Sequence, residues 1–463
     1  MFTDDTIAAI STPLGEGGIG IVRLSGRDSL RIVERIFFSP DNRSLKDMKS
    51  YRLIHGYVND PMTGKRIDEV LVSVMRAPHS YTKEDVVEIN CHGGMITLRM
   101  VLELVLRQGA RLAGPGEFTK RAFINGRIDL SQAEAVIDLI RSRTEESRRI
   151  SLEQLQGGLS ENITALRDRL LNICANVEAC IDFPEDEIET AQKLELIEAL
   201  KDIGKDLRML LKTYDEGRFF REGLSTAIVG KPNVGKSSLL NALLRRERAI
   251  VTEIPGTTRD VIEEYLNIKG LPLRIMDTAG IRHVEDVAER EGVQRSLKSI
   301  ENADLVIAVF DQSEPLGRED SEVLERIKDK TSILVMNKCD LNPGVDKGIF
   351  SPRVAPRASH VLGISATRGD GLEDLKDAIF NSCLSDWKEE REGVVVTNVR
   401  HKTLIEDALT ALEKAEYALT ENEPIEILAL ELRDSMDRLG EIVGIVTTED
   451  ILDKIFGDFC IGK

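Results

Sequence analysis

Hydrophobic positions along this chain fall into stretches of different period. Up to about residue 118, short apolar runs alternate with turn residues: Ile7 to Ser11, Ile19 to Leu24, Val70 to Met75 and Val86 to Asn90 are each of strand length. Met95 to Gln108 repeats instead at helical spacing and stops at Gly109. From Phe118 to about Tyr214 the helical period takes over. Leu152, Leu155, Leu159, Ile163, Leu166, Leu170, Ile173 and Val177 form one stripe, which predicts a single long helix kinked at Gly157-Gly158. The charged run around Pro184 reads as a solvated loop.

Strand and helix patterns then alternate from about 217 to 383. Buried-type strands are expected at Leu224 to Val229, Leu273 to Met276, Ile333 to Met336 and Val361 to Ile364. Helical spacing resumes at Leu404 and runs through Leu428, Leu432, Met436, Leu439 and Val443. Thr447 to Asp450 has the chemistry of a cap for a last helix, Ile451 to Phe459. Helical sequence thus flanks the α/β stretch on both sides, which predicts an inserted domain. The expected division is an α/β domain over 1–118, the first half of a helical domain over 119–216, the inserted domain over 217–383, and the second helical half over 384–463.

Composition narrows the partners. The 463 residues carry a formal net charge of −18, so no global basic footprint for nucleic acid exists. A polyanion would need a local basic patch or a second protein. The six cysteines include no C-x-x-C pair. No apolar run nears the ~18 residues of a membrane span, and Met1 to Asp5 lacks the basic start of a signal peptide. A soluble protein of the reducing cytoplasm, with no membrane contact, is expected.

The candidate chemistry centres on Gly230 to Ser237, which satisfies G-x-x-x-x-G-K-[ST] between a predicted strand and the helical pattern Ser238 to Leu244. Backbone N–H groups of such a loop cradle phosphates, its lysine (Lys236) reaches the β- and γ-phosphates, and its hydroxyl (Ser237) binds Mg²⁺. Three further stretches follow in order. Gly256-Thr257-Thr258-Arg259-Asp260 offers Thr258 to the Mg²⁺ shell. Asp277-Thr278-Ala279-Gly280 places an acid and a flexible glycine at a strand end, where a Mg²⁺-linked carboxylate and a γ-phosphate-sensing N–H are needed. Asn337-Lys338-Cys339-Asp340 and Ser365-Ala366 each close an apolar run. The N-K-x-D pattern resembles that of GTP-binding proteins, in which the aspartate accepts from guanine N1–H and the exocyclic amine. A GTPase domain is predicted.

Three weaker motif matches do not carry the chemistry they suggest. Gly15 to Gly20 matches G-x-G-x-x-G literally, but a β-rich run follows it where a dinucleotide fold needs a helix, so a hairpin is expected. Cys91 and His92 are adjacent and project to opposite faces of a strand, which suits a structural or substrate-lining role better than a metal site. The tail Cys460-Ile461-Gly462-Lys463 lacks the aliphatic and terminal residues of a prenylation signal. The apolar lead-in through Phe456 and Phe459 is expected to anchor it.

Taken together, the chain resembles the MnmE (TrmE) tRNA-modification GTPases. The match runs from Asp5-Thr6-Ile7 through the Gly-Gly-Ile-Gly-Ile-Val-Arg23 run and Cys-His-Gly-Gly. It continues through Gly116-Glu117-Phe118-Thr119, Arg121-Ala122-Phe123, the GTPase motifs and the terminal Cys-Ile-Gly-Lys. The resemblance implies a folate-binding, dimer-forming N-terminal domain, a helical domain and an inserted GTPase domain. It implies work with MnmG, a flavin- and NADH-dependent protein, as a heterotetramer or larger, on the wobble uridine of tRNA. An aminomethyl or carboxymethylaminomethyl group would be added at C5, with 5-formyltetrahydrofolate or a related tetrahydrofolate as cofactor.

By position, the resemblance puts folate contacts on Arg23, Glu88, Arg127 and Lys463. Arg127 departs from the lysine common in the family, which changes the geometry of that contact. Cys460 becomes a candidate functional thiol. The nucleotide set becomes Asn233 to Ser238 (with Val234 and Gly235), Thr252, Glu253, Ile254, Pro255, Gly256, Thr257, Thr258, Asp277 to Gly280, Asn337, Lys338, Asp340, Ser365 and Ala366. Asn233, Thr252, Ile254 and Thr257 would hold K⁺ beside the phosphates of GTP or GDP, doing an arginine finger's work. Ile281 stands where Ras-like proteins have a water-orienting glutamine, and Glu289 matches the family's catalytic glutamate. Two other readings fit parts of the pattern. One is a ribosome-assembly switch GTPase, which predicts a basic RNA-binding C-terminus that this acidic chain does not offer. The other is a folate-dependent aminomethyltransferase without tRNA.

Overall fold

The structure, a computed structural model, describes residues 5–182, 190–247, 264–276, 298–341, 357–384 and 393–463. The described chain forms two compact units. One joins the residues up to Ile137 with Gly440–Lys463, and the other runs from Asp138 to Leu439.

In the first unit, β1 (Ile7–Ile10) and β2 (Gly20–Ser25) pair antiparallel with Ile10 opposite Val22. The glycine run therefore joins two hairpin strands, as its sequence context predicts. After α1 (Ser29–Glu34) come β3 (Phe37–Phe38), β4 (Arg52–Asn59), β5 (Arg66–Met75) and β6 (Val86–Cys91). Then follow α2 (Met95–Arg107), β7 (Arg111–Leu112) and α3 (Glu117–Ile124). The sheet order is β3-β4-β5-β6-β2-β1-β7. Val22, Leu24, Val72, Val87 and Ile89 on one sheet face meet Leu98, Val101 and Val105 of α2, burying alternate strand residues. Cys91 lies in this core, while His92 turns outward to Asp68 at 2.7 Å.

The helix α4 (Leu130–Arg141) starts in this unit, and Leu130, Ala133 and Ile137 pack on Leu452, Phe456 and Phe459. The last two belong to or follow the final helix (Glu449–Gly457), whose cap is Thr448 accepting from the Ile451 N–H. The apolar lead-in thus anchors the tail as expected.

In the second unit the stripe read as one kinked helix is two. α5 (Glu145–Leu155) and α6 (Gly158–Asp182) are separated at Gly157, whose φ of +100° ends α5 outright. The stripe is buried from Leu159 to Val177 on α6, whereas Leu152 and Leu155 are only half-buried on α5, whose buried side carries Ile150 and Gln154. α7 (Thr190–Glu222) runs to the edge of a second sheet, β8 (Leu224–Val229), β9 (Glu264–Ile268), β10 (Leu271–Ile275), β11 (Leu305–Asp311), β12 (Ser332–Asn337) and β13 (Ala358–Gly363). Its order is β13-β12-β11-β8-β10-β9, parallel except for the β9/β10 pair. Every residue of β8, β11 and β12 is buried, so their near-continuous apolar runs follow from cover on both faces.

The helices α8 (Lys236–Glu247), α9 (Arg318–Ile327) and α10 (Leu372–Cys383) accompany this sheet. Beyond it, α11 (Val399–Thr420) packs along α7, with Arg208 to Glu413 at 2.7 Å, and α12 (Ile425–Val443) joins α11 through Ser435 to the Ala408 carbonyl at 2.9 Å. The final helix, Glu449–Gly457, is α13. Helices from before and after the parallel sheet therefore pair with each other, and the sheet is an insertion. Among the described residues no helix is long and apolar enough to cross a membrane.

Candidate functional site

The phosphate loop leaves β8 at Val229 and turns into α8 at Lys236. Strand–loop–helix order aims the first backbone N–H groups of α8 at the loop's mouth. Asn233 holds a left-handed φ of 64°. Gly235 has φ of +97°, and a Cβ there would fall 2.2 Å from Asn337 Nδ2, so only glycine fits. Lys236 donates to the Gly230 and Lys231 carbonyls at 2.7 and 2.8 Å. Burial pushes its pKa below the ordinary lysine value. No carboxylate among the described residues pairs with it, so the loop presents a desolvated cation that an incoming phosphate would satisfy. Ser237 and Ser238 follow in the first turn of α8.

The base-reading segments meet this loop. Asn337, ending β12, donates from Nδ2 to the Val234 carbonyl at 2.8 Å and accepts the Ala366 N–H on Oδ1 at 3.0 Å. One side chain thus fastens three motifs. Lys338 sits at φ of 63° with its Nζ on Asp311 at 2.5 Å. A hydrogen bond from Ser365 and the charge of Arg368 hold the Asp340 carboxyl below the usual range. It is therefore an ionised acceptor, the state that pairing with the two guanine donors requires. Asp311 and Arg368 escaped the sequence reading. Asp311 does end the apolar run Leu305 to Phe310, which is the signal that was there to use. Thr252, Glu253, Ile254, Pro255, Gly256, Thr257, Thr258, Asp277, Thr278, Ala279, Gly280 and Glu289 lie outside the described residues.

A second cluster lies in the first unit. Arg23 on β2 faces Glu88 on β6 across the ladder, its Nε 2.8 Å from the carboxylate, with both side chains under one fifth exposed. Arg23 Nη1 also reaches the Gly462 carbonyl at 3.4 Å. The tail is tied down by Phe118 N–H to Lys463 O at 3.2 Å and by pairing of Ile461 with Pro115. Gly462 (φ +96°) passes so close that a Cβ would sit 2.3 Å from the Ile10 carbonyl. Burial and then the Arg23 charge lower the Lys463 pKa. With Arg23 paired to Glu88 and the half-buried Lys463 close enough to feel the Arg23 charge, the cluster has the chemistry for an anionic or carbonyl-rich ligand.

Arg127 stands off from this pair. Its guanidinium stacks on Tyr81 at 4.7 Å and donates to the Tyr81 carbonyl at 2.9 Å, while Arg23 approaches the same ring at 6.0 Å. Tyr81, which bonds Thr119 at 2.9 Å, is a member of the cluster that no sequence pattern flagged. Cys460 is exposed, and its carbonyl accepts from Gly116 N–H at 3.4 Å.

A parallel sheet with a glycine-rich phosphate loop, fastened to an N-K-x-D segment with an ionised aspartate, defines a P-loop GTPase. The comparisons agree and go further. The model described as MnmE helical domain matches residues 130–460, and that described as GTP-binding protein TrmE N-terminus matches 6–127. The tRNA modification GTPase MnmE of Alkaliphilus oremlandii is 48% identical over 463 residues, all of both chains. That of Bacillus subtilis is 46% identical over 462 residues, 99% of this chain and 100% of the relative. Among solved structures, the G domain of the T. maritima FeoB iron transporter is 27% identical, covering 34% of this chain and 96% of that one, with a TM-score of 0.24. The chain belongs to the MnmE (TrmE) family of tRNA modification GTPases.

Proposed function

We propose that this protein hydrolyses GTP to drive addition of an aminomethyl or carboxymethylaminomethyl group at C5 of the tRNA wobble uridine. The one-carbon unit comes from a tetrahydrofolate. The protein works in the cytoplasm as a homodimer, with the flavin-dependent MnmG as partner and tRNA engaged through the complex. In this reading, folate binding and dimerisation belong to 1–118, the helical halves to 119–216 and 384–463, and GTP hydrolysis to 217–383.

The observation that carries this reading is the joining of β2, β6 and the tail at one half-buried cation pair, Arg23 and Lys463, in a chain that also holds a guanine-reading phosphate loop. Arg23, Lys463 and Glu88 would hold the folate, with Arg127 and Tyr81 at the margin. A tetrahydrofolate carrying its carbon at the methylene level would match the new group directly, whereas a formyl-level one would need two electrons from the flavin-dependent partner. Lys236 neutralises phosphate charge, and Asp340 selects guanine. Ser237 with Thr258 would hold Mg²⁺, and Asn233 with Thr252, Ile254 and Thr257 would hold K⁺. Cations held by these residues would offset negative charge growing on the phosphates. Glu289 would orient the attacking water in place of the absent glutamine.

The test is the wobble uridine of tRNA from cells lacking the protein. The C5 modification should disappear and return with the wild-type chain, but not with Lys236→Ala or Arg23→Ala. Intact modification in the deletion strain would overturn the reading.

A further inference from the structure

Residues 81–83 and 125–127 of the first unit are laced together by bonds from side chain to backbone. Arg127 donates to the Tyr81 carbonyl at 2.9 Å, Asn125 Nδ2 to the Thr82 carbonyl at 2.6 Å, and Lys83 Nζ to the Gly126 carbonyl at 2.8 Å. Lys83 is held there at a φ of +58°, a left-handed conformation that residues with a Cβ disfavour. Such strain persists where the surroundings fix it, most often beside a ligand site.

Lys83 and Arg127 form a cationic ledge. Each bonds a backbone carbonyl, and no carboxylate among the described residues pairs with either. The nearby acids in sequence are engaged elsewhere. Glu84 accepts from Ser25 at 2.6 Å and from Arg121 at 3.1 Å, Asp85 takes the Ala77 N–H at 2.9 Å, and Asp129 takes the Gln132 N–H at 2.9 Å. One ring joins the ledge to the Arg23 cluster, because Tyr81 has the Arg127 guanidinium at 4.7 Å and that of Arg23 at 6.0 Å. The chemistry thus passes from Arg23 and Lys463, through an aromatic face, to the exposed Arg127 and the half-buried Lys83. A tetrahydrofolate has its parts in a matching order: a polar pterin with the one-carbon unit, a benzoyl ring, and a tail of γ-linked glutamates in which each residue adds a carboxylate.

We propose that Lys83, together with Arg127, binds the γ-glutamate tail of the folate, so that the protein takes polyglutamylated tetrahydrofolates in preference to the monoglutamate. The inference rests on the reading that the Arg23 cluster takes a tetrahydrofolate. Two ledge cations in a chain of net charge −18 suit a short, flexible string of carboxylates. An RNA backbone instead draws its affinity from many phosphates spread over a wide basic surface.

The experiment titrates the full chain with the mono-, tri- and pentaglutamate forms of 5-formyltetrahydrofolate by calorimetry. The triglutamate should bind about fivefold tighter than the monoglutamate, and the gap should narrow at high salt. Lys83→Gly combined with Arg127→Gln should flatten that ratio toward one. Glycine accepts the φ that lysine resists, so the first exchange removes the charge without straining the fold. Lys65→Ala, which removes an exposed cation from the turn between β4 and β5, should keep the parent's ratio. If the parent binds all three lengths equally, or the double variant keeps the preference, the tail assignment fails while the folate reading stands. If no length binds the parent, the folate reading fails and takes the proposal with it. Loss of tRNA affinity in the double variant, with the length ratio unchanged, would give the ledge to RNA and overturn the proposal.

Discussion

Asn337 and Val234 are joined by a side-chain-to-backbone hydrogen bond of 2.8 Å, which makes the phosphate loop and the base-reading strand one mechanical piece. The same side chain accepts from Ala366 at 3.0 Å. Asn337→Ala removes both bonds in a buried setting. It should cost about 1–3 kcal/mol of stability and weaken GDP binding. Denaturant unfolding with a GDP titration checks this, and a variant matching the parent in both would show the strands align without it.

Proton uptake should accompany nucleotide binding. Burial lowers the Lys236 pKa in the free protein, and a bound phosphate raises it again. Between those two values the complex holds more protons than its parts, so affinity falls as pH rises through the free protein's value. For folding the sign is opposite: the cost of burying the charged ammonium is full below the lowered pKa and is relieved, so that stability rises, as pH climbs through it toward the ordinary lysine value. Calorimetry of GDP binding at alkaline pH, in buffers of different ionisation enthalpy, should report net proton uptake. Heats independent of the buffer would contradict it.

Gly462→Ala should act on the proposed folate site alone. A Cβ would lie 2.3 Å from the Ile10 carbonyl at a φ of +96°, so the tail must lift and carry Lys463 with it. Binding of 5-formyltetrahydrofolate should weaken by about tenfold or more, with GTP affinity unchanged. Equal folate affinity in the variant would place the ligand elsewhere.

The cysteines should differ in reactivity. Burial pushes the Cys91 and Cys383 thiols up to about 12, leaving almost no thiolate at pH 8, whereas Cys460 is exposed. Alkylation of the native protein followed by mass mapping should mark Cys460 early and spare the other two until the chain unfolds. Rapid marking of Cys91 would mean its strand opens readily.

Glu289→Ala should lose most hydrolysis, about 10²–10³-fold if one water-positioning contact goes, while binding GTP normally. Glu285→Ala and Glu291→Ala should be nearly silent. Single-turnover rates on the three variants decide it, and parental rates in all of them would assign the water to another group.

The sheet around the phosphate loop was legible because its strands are buried on both faces, so their sequence is continuously apolar and glycine marks where the backbone must turn. At Gly157 the sequence marked an interruption but not that it is a full break. A stripe of buried residues has the same spacing whether one helix carries it or two helices share a face, and a φ of +100° leaves no trace in periodicity. The first-unit cluster lay further beyond local pattern. Arg23 and Gly462 stand 439 positions apart, and only likeness to a family links such residues on paper. Tyr81 shows what likeness also missed, because a stacking ring has no motif around it. Asp311 was within reach, as a charge abruptly ending a buried strand.

The contact between Arg23 and Gly462 also sets an order of events during synthesis. The strands bearing Arg23 and Glu88 emerge from the ribosome early and can pair as soon as β6 is out. The cleft they help form stays unfinished until the helical halves and the inserted GTPase domain have been translated. A chain halted after the inserted domain but before residue 460 would own its nucleotide loop and an incomplete tail-side cluster. Ligand capture there would then report that translation had reached the tail.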